Sequence, residues 1–116
     1  TAPESMGANG LVESDPGVPV TVTDVDRAEA LVPSLESVYG SSNVFQSPRI
    51  TGAEDFSFFQ EEIPGFFFFI GGRPESISPT SAIPNHSPYF SIDERALSPA
   101  VHAMSRIALD FLSSSR

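Results

Sequence analysis

An unbroken run of large apolar residues, Phe66-Phe67-Phe68-Phe69-Ile70, constrains this chain more than any other feature. Side chains of an extended strand alternate between two faces, so a run that is apolar at every position must be covered on both. That is the pattern of a central strand in an α/β sheet, and the run is far too short to span a bilayer. The chain has 116 residues, enough for one modest domain. With 40% hydrophobic residues, including 10 Phe, wholesale disorder is excluded. Six basic residues, all Arg, face 15 acids, for a formal net charge of −9. Nucleic acid and anionic membrane surfaces both need a concentrated cationic patch, so neither is an expected partner. The absence of Cys removes disulfides, thiolate ligands and a thiol nucleophile.

The elements around the Phe run follow from spacing. Residues Thr1 to Val18 have the composition of a loop or frayed terminus. Val18-Pro19-Val20-Thr21-Val22 alternates and is β-branched, predicting a short strand that Pro19 places at an edge or a strand start. Asp24 is a candidate N-cap for a helix carrying Ala28, Leu31, Val32, Leu35, Val38 and Tyr39 on one face. Gly40 is its expected stop, and Pro33 within it predicts a kink. Asn43 to Gln46 and Arg49 to Thr51 read as short extended pieces. Gly52-Ala53-Glu54-Asp55-Phe56 reads as a turn opening a helix with Phe58 and Phe59, ended by Pro64-Gly65. Gly71 to Pro88 is a long loop, of a length that usually serves function. Ser91 or Asp93 would cap the last helix, with Glu94 placed for a capping box and Leu97, Val101, Met104, Ala108 and Phe111 as its buried stripe. The order is an α/β alternation that resembles the edge of a larger layer.

Few residues can carry chemistry. His102, within the last helix, reads as a partly exposed helical residue. His86, in Asn85-His86-Ser87-Pro88-Tyr89-Phe90, reads either as a polar loop residue or as a metal ligand. Pro88 stiffens the backbone after the imidazole, and Tyr89 and Phe90 can anchor the loop to the core. Glu54 and Asp55 read either as charges favoured at a helix start or as catalytic groups. One His and two acids make a thin metal site, because catalytic zinc takes three protein ligands and water. There is no Gly-x-Ser-x-Gly elbow and no phosphate-cradling Gly loop, and Gly71-Gly72 is a turn signal.

From Val18 onward the sequence resembles the C-terminal end of co-catalytic metallohydrolases of the hippurate hydrolase, aminoacylase and auxin-conjugate hydrolase type. The likeness is carried by Pro19-Val20-Thr21-Val22-Thr23-Asp24, by Thr51-Gly52-Ala53-Glu54-Asp55-Phe56-Ser57-Phe58 and by Ile63-Pro64-Gly65-Phe66-Phe67-Phe68-Phe69-Ile70-Gly71. His86-Ser87-Pro88-Tyr89-Phe90, followed by Asp93-Glu94-Arg95-Ala96-Leu97, completes it. The resemblance implies an α/β fold: the C-terminal part of a zinc-exopeptidase-like catalytic domain, a mixed sheet flanked by helices, incomplete on its own. Residues 1–17 would be disordered or an altered junction, residues 18–23 the end of a lid and dimerisation domain, and residues 24–116 catalytic domain. His86 matches the family's last metal ligand, and Gly52, Ala53 and Glu54 match a substrate-binding loop. The implied reaction is hydrolysis of the amide bond of N-acyl amino acids or related amides. Two divalent ions, zinc or manganese, would polarise the carbonyl and activate a bridging water. The other ligands and the Glu general base belong to upstream sequence in this family, and their motifs are not found here. Thr1 to Asp15 does not resemble the lid that should precede the strand, so a truncation, an altered junction or a misjoined gene model is expected. The rival expectation is a non-catalytic remnant or interaction module lacking the active centre. A parent homodimer through the lid, a small-molecule substrate and, with no signal peptide visible, a cytoplasmic location complete the expectations.

Overall fold

In this computed structural model residues 13–114, together with Gly7, are described. Much of the expected 1–17 junction therefore lies outside the described residues. The α-helices are α1 (Val25–Tyr39), α2 (Phe56–Glu62) and α3 (Leu97–Ser114), with 3-10 turns at Ser41–Asn43, Pro79–Ser81 and Glu94–Ala96. No described helix is long and apolar enough to cross a membrane.

Local chemistry sets the helix ends as the sequence implies. The Asp24 carboxylate accepts the Arg27 N–H at 2.9 Å, capping the first turn of α1. Gly40, at φ 81°, turns the chain out of the helix while its N–H reaches the Glu36 carbonyl at 2.8 Å. Pro33 sits inside an α1 that continues unbroken from Val25 to Tyr39. Asp93 caps the 3-10 turn ahead of α3 by accepting the Arg95 N–H at 3.0 Å. Pro99 falls in the first turn of α3, where its missing N–H costs nothing.

Packing centres on α1 against α3. Leu31, Ser34 and Leu35, spaced at three and four residues, are the buried face of α1, and Ala103 is the fully buried residue of α3. The buried Ser34 hydroxyl donates to the Asp110 carboxylate at 2.7 Å, and Arg106 one turn earlier pairs with the same oxygen at 2.8 Å. Arg27 lies 5.0 Å over the Phe111 ring, adding a cation–π contact across the pair.

The expected buried stripe on α3 is corrected. Leu97 (51% exposed), Val101 (68%) and Met104 (56%) face outward, and Ala108 and Phe111 are exposed too. The less exposed positions are Pro99, Ala100, Ala103, Ile107 and Asp110, also at helical spacing. α3 therefore has two apolar faces. The one of small residues lets α1 approach closely; on the other, Leu97, Val101 and Met104 stay exposed.

The expected strands are corrected as well: no β-ladder forms among the described residues, and the mixed sheet is not seen. Residues 18–22, 43–46, 49–51 and 66–70 lack the backbone partners that define a strand. The Phe run nonetheless keeps the two-sided character of extended backbone. Phe67 meets Phe69 edge-on at 5.1 Å, with Phe56 at 5.5 Å from Phe67, while Phe66 meets Phe68 at 5.4 Å. Residues 66–68 are half-buried, and Phe69 is 63% exposed. The radius of gyration is 20.0 Å, against about 13 Å for a compact domain near this length. Phe66 to Phe68 are thus partly covered, while Val20, Val22 and Phe69, which the sequence also allots to strands, stay exposed.

The Ser34–Asp110–Arg106 cluster makes the helix pair acid-sensitive. The Ser34 and Arg106 hydrogen bonds hold the Asp110 carboxyl below its ordinary value of 3.8. A depressed pKa stabilises the folded form above the unfolded pKa, and that gain is lost as pH falls through the folded one. Helix content followed by circular dichroism should accordingly fall on acidification below 3.8, and Asp110→Asn should remove this component of the acid transition while lowering helicity at neutral pH. An acid limb unchanged in Asp110→Asn would show that the cluster does not hold the pair.

Candidate functional site

His86 lies in the turn Pro84–Ser87, where the Ser87 N–H reaches the Pro84 carbonyl at 3.4 Å. Its φ is 74°, and it is the only non-glycine residue with positive φ among the described residues. This left-handed conformation costs an ordinary L-residue about 1–2 kcal/mol, and glycine is the usual solution. Ser87 then organises the exit: its carbonyl accepts the Phe90 N–H at 3.0 Å and its hydroxyl the Tyr89 N–H at 3.2 Å. The imidazole is solvent-exposed. Tyr89 is 78% and Phe90 46% exposed, so the aromatic pair does not anchor the loop to a core as the sequence suggests. Upstream, the Arg73 guanidinium ties the loop by donating to the carbonyls of Pro74 and Ile77.

The Gly52–Glu54 segment leads directly into α2. Gly52 and Ala53 are exposed and Glu54 is half-buried. The Glu54 carboxylate accepts the Phe56 N–H at 3.3 Å, and its carbonyl accepts both the Ser57 N–H at 3.1 Å and the Ser57 hydroxyl at 2.7 Å. Asp55 takes the Phe58 N–H at 3.1 Å. The first-turn donors of α2 are thus engaged by Glu54 and Asp55, so an incoming anion would have to use the amides of the segment itself. Ser57, 1% exposed, is the pin beneath it.

No His, Cys, Asp or Glu side chains gather in groups of three or more that could hold a metal among the described residues. His86 therefore offers one imidazole and not a metal centre. His102 is exposed on α3. A concavity of about 310 Å³ is lined by Val22, Asp24 and Gln60 to Gly65, and another of about 300 Å³ by Gly71, Arg73, Glu75, Asp93, Arg95 and Ala96. Neither contains His86 or the Gly52–Glu54 segment. In the second, Arg95 grips Asp93 through both carboxylate oxygens and holds that carboxyl below its usual range.

Sequence reasoning passed over three polar residues that fix this region: Ser57, Thr23 and Gln60. The Thr23 hydroxyl bridges the Phe67 N–H and carbonyl, each at 3.3 Å. The Gln60 carboxamide takes both backbone groups of Val22, at 3.0 and 2.9 Å. No local pattern announces the Gln60 and Thr23 contacts, because their partners lie 38 and 44 positions away.

With the helices and the two loops in view, the family is defined by sequence comparison. The chain belongs to peptidase family M20/M25/M40, whose sequence profile matches residues 10–110. It is similar to IAA-amino acid hydrolase ILR1-like 4 of Arabidopsis thaliana, at 34% identity over 75% of this chain and 19% of that protein. It is similar to thermostable carboxypeptidase 2 of Saccharolobus solfataricus, at 34% identity over 80% of this chain and 22% of that protein. A shorter match to IAA-amino acid hydrolase ILR1-like 6 of Arabidopsis thaliana reaches 46% identity over 55% of this chain and 14% of that protein. The chain spans about a fifth of the length of these relatives. No solved structure matches it significantly. Enzymes of this family generally use divalent metals.

The backbone at His86 gives a direct test of the turn. His86→Gly removes the Cβ that disfavours φ 74° and should stabilise the turn by up to about 1 kcal/mol, whereas His86→Ala should not. Slower hydrogen exchange of the Ser87 amide in the glycine variant alone would be the signature; equal exchange in both would remove the strain from the account.

Proposed function

We propose that this chain is the C-terminal part of a metal-dependent amidohydrolase that cleaves the amide bond of N-acyl amino acids or related small amides. The observation that carries the reading is the family profile over residues 10–110, joined to relatives named IAA-amino acid hydrolases. In it, residues 24–116 belong to the catalytic domain and residues 18–23 close a lid that also serves dimerisation. The Phe66–Ile70 run takes its place in a mixed sheet whose other strands come from the rest of the catalytic domain. Two features support that last step: the run is apolar on both alternating faces, and α3 holds Leu97, Val101 and Met104 exposed along one face.

His86 is assigned one coordination position on a divalent ion, zinc or manganese, of a two-metal centre. Its imidazole is accessible, and its strained backbone is the kind of feature that clusters at functional sites. The donor set among the described residues does not complete a metal centre, so no catalytic step is derived through one. Gly52, Ala53 and Glu54 are assigned to substrate binding: the exposed backbone of Gly52 and Ala53 is open to a ligand, and the Glu54 carbonyl is fixed by Ser57.

The reading has two expected outcomes. The purified 116-residue chain should not hydrolyse N-acyl amino acids, since a lone imidazole cannot hold a catalytic ion; robust metal-dependent turnover by it would overturn the proposal. With the chain restored to a full-length parent, His86→Ala should lower turnover by orders of magnitude and leave one metal position empty or loosened by elemental analysis. His102→Ala should do neither. Full metal occupancy with normal turnover in His86→Ala would remove His86 from the site.

A further inference from the structure

Residues 18–23 pair with no other backbone segment among the described residues, and one side chain covers part of their main chain. Val18, Val20 and Val22 alternate along this stretch, with Val20 81% and Val22 66% exposed. The hydrogen bonds made by the Val22 main chain go to a single carboxamide. Gln60 Oε1 accepts the Val22 N–H at 3.0 Å, and Gln60 Nε2 donates to the Val22 carbonyl at 2.9 Å. An opposing strand residue in a hydrogen-bonded antiparallel pair does the same: it exchanges one N–H and one C=O with its partner. A carboxamide carries that acceptor and donor on one planar group, so it can stand in for a strand one residue long. Nε2 also donates to the Gly65 carbonyl at 3.3 Å, which receives the Asp24 N–H at 2.9 Å. The stand-in is therefore held from both sides.

The surroundings indicate what it holds off. Residues 18–23 carry no charge in a chain of net charge −9. Glu13 and Asp15 lie before them and Asp24 and Asp26 after. Antiparallel pairing of two copies centred on Val20 would juxtapose matching valines, and would bring Asp15 of one copy beside Asp24 and Asp26 of the other. Charge repulsion at the ends and the missing N–H of Pro19 oppose such pairing in part. At Val22 itself the side chain is exposed and uncharged, and its main-chain N–H and C=O are the two groups that Gln60 engages.

We propose that Gln60 is an edge guard: its carboxamide occupies the Val22 main chain and blocks strand pairing of residues 18–22 with a second copy of this chain. The occupant excluded is a like segment of neutral, alternating β-branched sequence. The inference concerns backbone groups and not the metal or substrate, so its test is read from association and not from turnover.

The test compares the full chain with Gln60→Ala, Gln60→Glu and the double variant Gln60→Ala/Val20→Arg, by sedimentation velocity over a concentration series and by hydrogen exchange at Val22. Loss of both hydrogen bonds should raise the apparent self-association constant of Gln60→Ala by about tenfold or more. The Val22 amide should exchange faster at low concentration and regain protection as copies associate. Gln60→Glu keeps the acceptor and a side chain of equal length but loses the donor, so it should fall between wild type and Gln60→Ala. Added salt, by screening the flanking acids, should strengthen association further. Val20→Arg in the Gln60→Ala background should return association to the wild-type level. Association of both single variants equal to wild type, or association of Gln60→Ala undiminished by Val20→Arg, would overturn the proposal. The second result would assign the contact to another surface, such as the apolar face of α3.

Discussion

The contact of α1 with α3 is what the described structure depends on. Leu31 and Leu35 on one helix and Ala103 on the other are the buried apolar residues among those described, and the Ser34–Asp110–Arg106 cluster fixes how the helices meet. A small residue at the crossing matters because it allows close approach, and dispersion falls off steeply with distance. A buried hydroxyl beside it is tolerable only because a carboxylate accepts its hydrogen. Away from this contact, order comes from caps and isolated tertiary hydrogen bonds: Asp24 on α1, Asp93 ahead of α3, Thr23 on Phe67 and Gln60 on Val22.

Those bonds explain how a chain with so little core keeps residues 22–24 beside residues 65–67. Of the links between these stretches, only that from the Asp24 N–H to the Gly65 carbonyl is backbone to backbone. Gly65 is required there by space. A Cβ at this position would lie 2.9 Å from Gln60 Cγ and 3.0 Å from the Phe56 ring. The Pro64-Gly65 pair that ends α2 thus also brings the Phe run against it, with Phe56 on Phe67. The same junction positions Gln60 to cover Val22.

The candidate site shows a different economy. His86 and the Gly52–Glu54 segment are set by short-range geometry: a left-handed residue in a turn for one, a buried serine under a helix start for the other. Both are accessible, and neither is surrounded by the further donors that would make a site. The matched relatives in the family are about five times longer than this chain. In the proposed reading, the same missing chain would complete the metal centre, cover the large apolar face of α3 and pair with the Phe run.

The sequence by itself determined what depends on near neighbours. Asp24 and Gly40 bound a helix whose spacing puts Leu31 and Leu35 on one side, and Pro64-Gly65 ends α2; each is legible because its cause lies within a few residues. The family was legible too, in motifs that are local strings of residues. Tertiary structure alone decided the rest. α3 offers two apolar faces at helical spacing, and periodicity cannot say which one a partner will cover; α1 took the small-residue face, contrary to the choice of Leu97, Val101 and Met104. The Phe run is strand-like in pattern, yet a strand exists only when another backbone supplies the opposite half of each hydrogen bond, and no described segment does so. Likewise, nothing in the neighbourhood of Gln60 announces Val22, because a carboxamide finds a backbone 38 residues away only once the chain has folded.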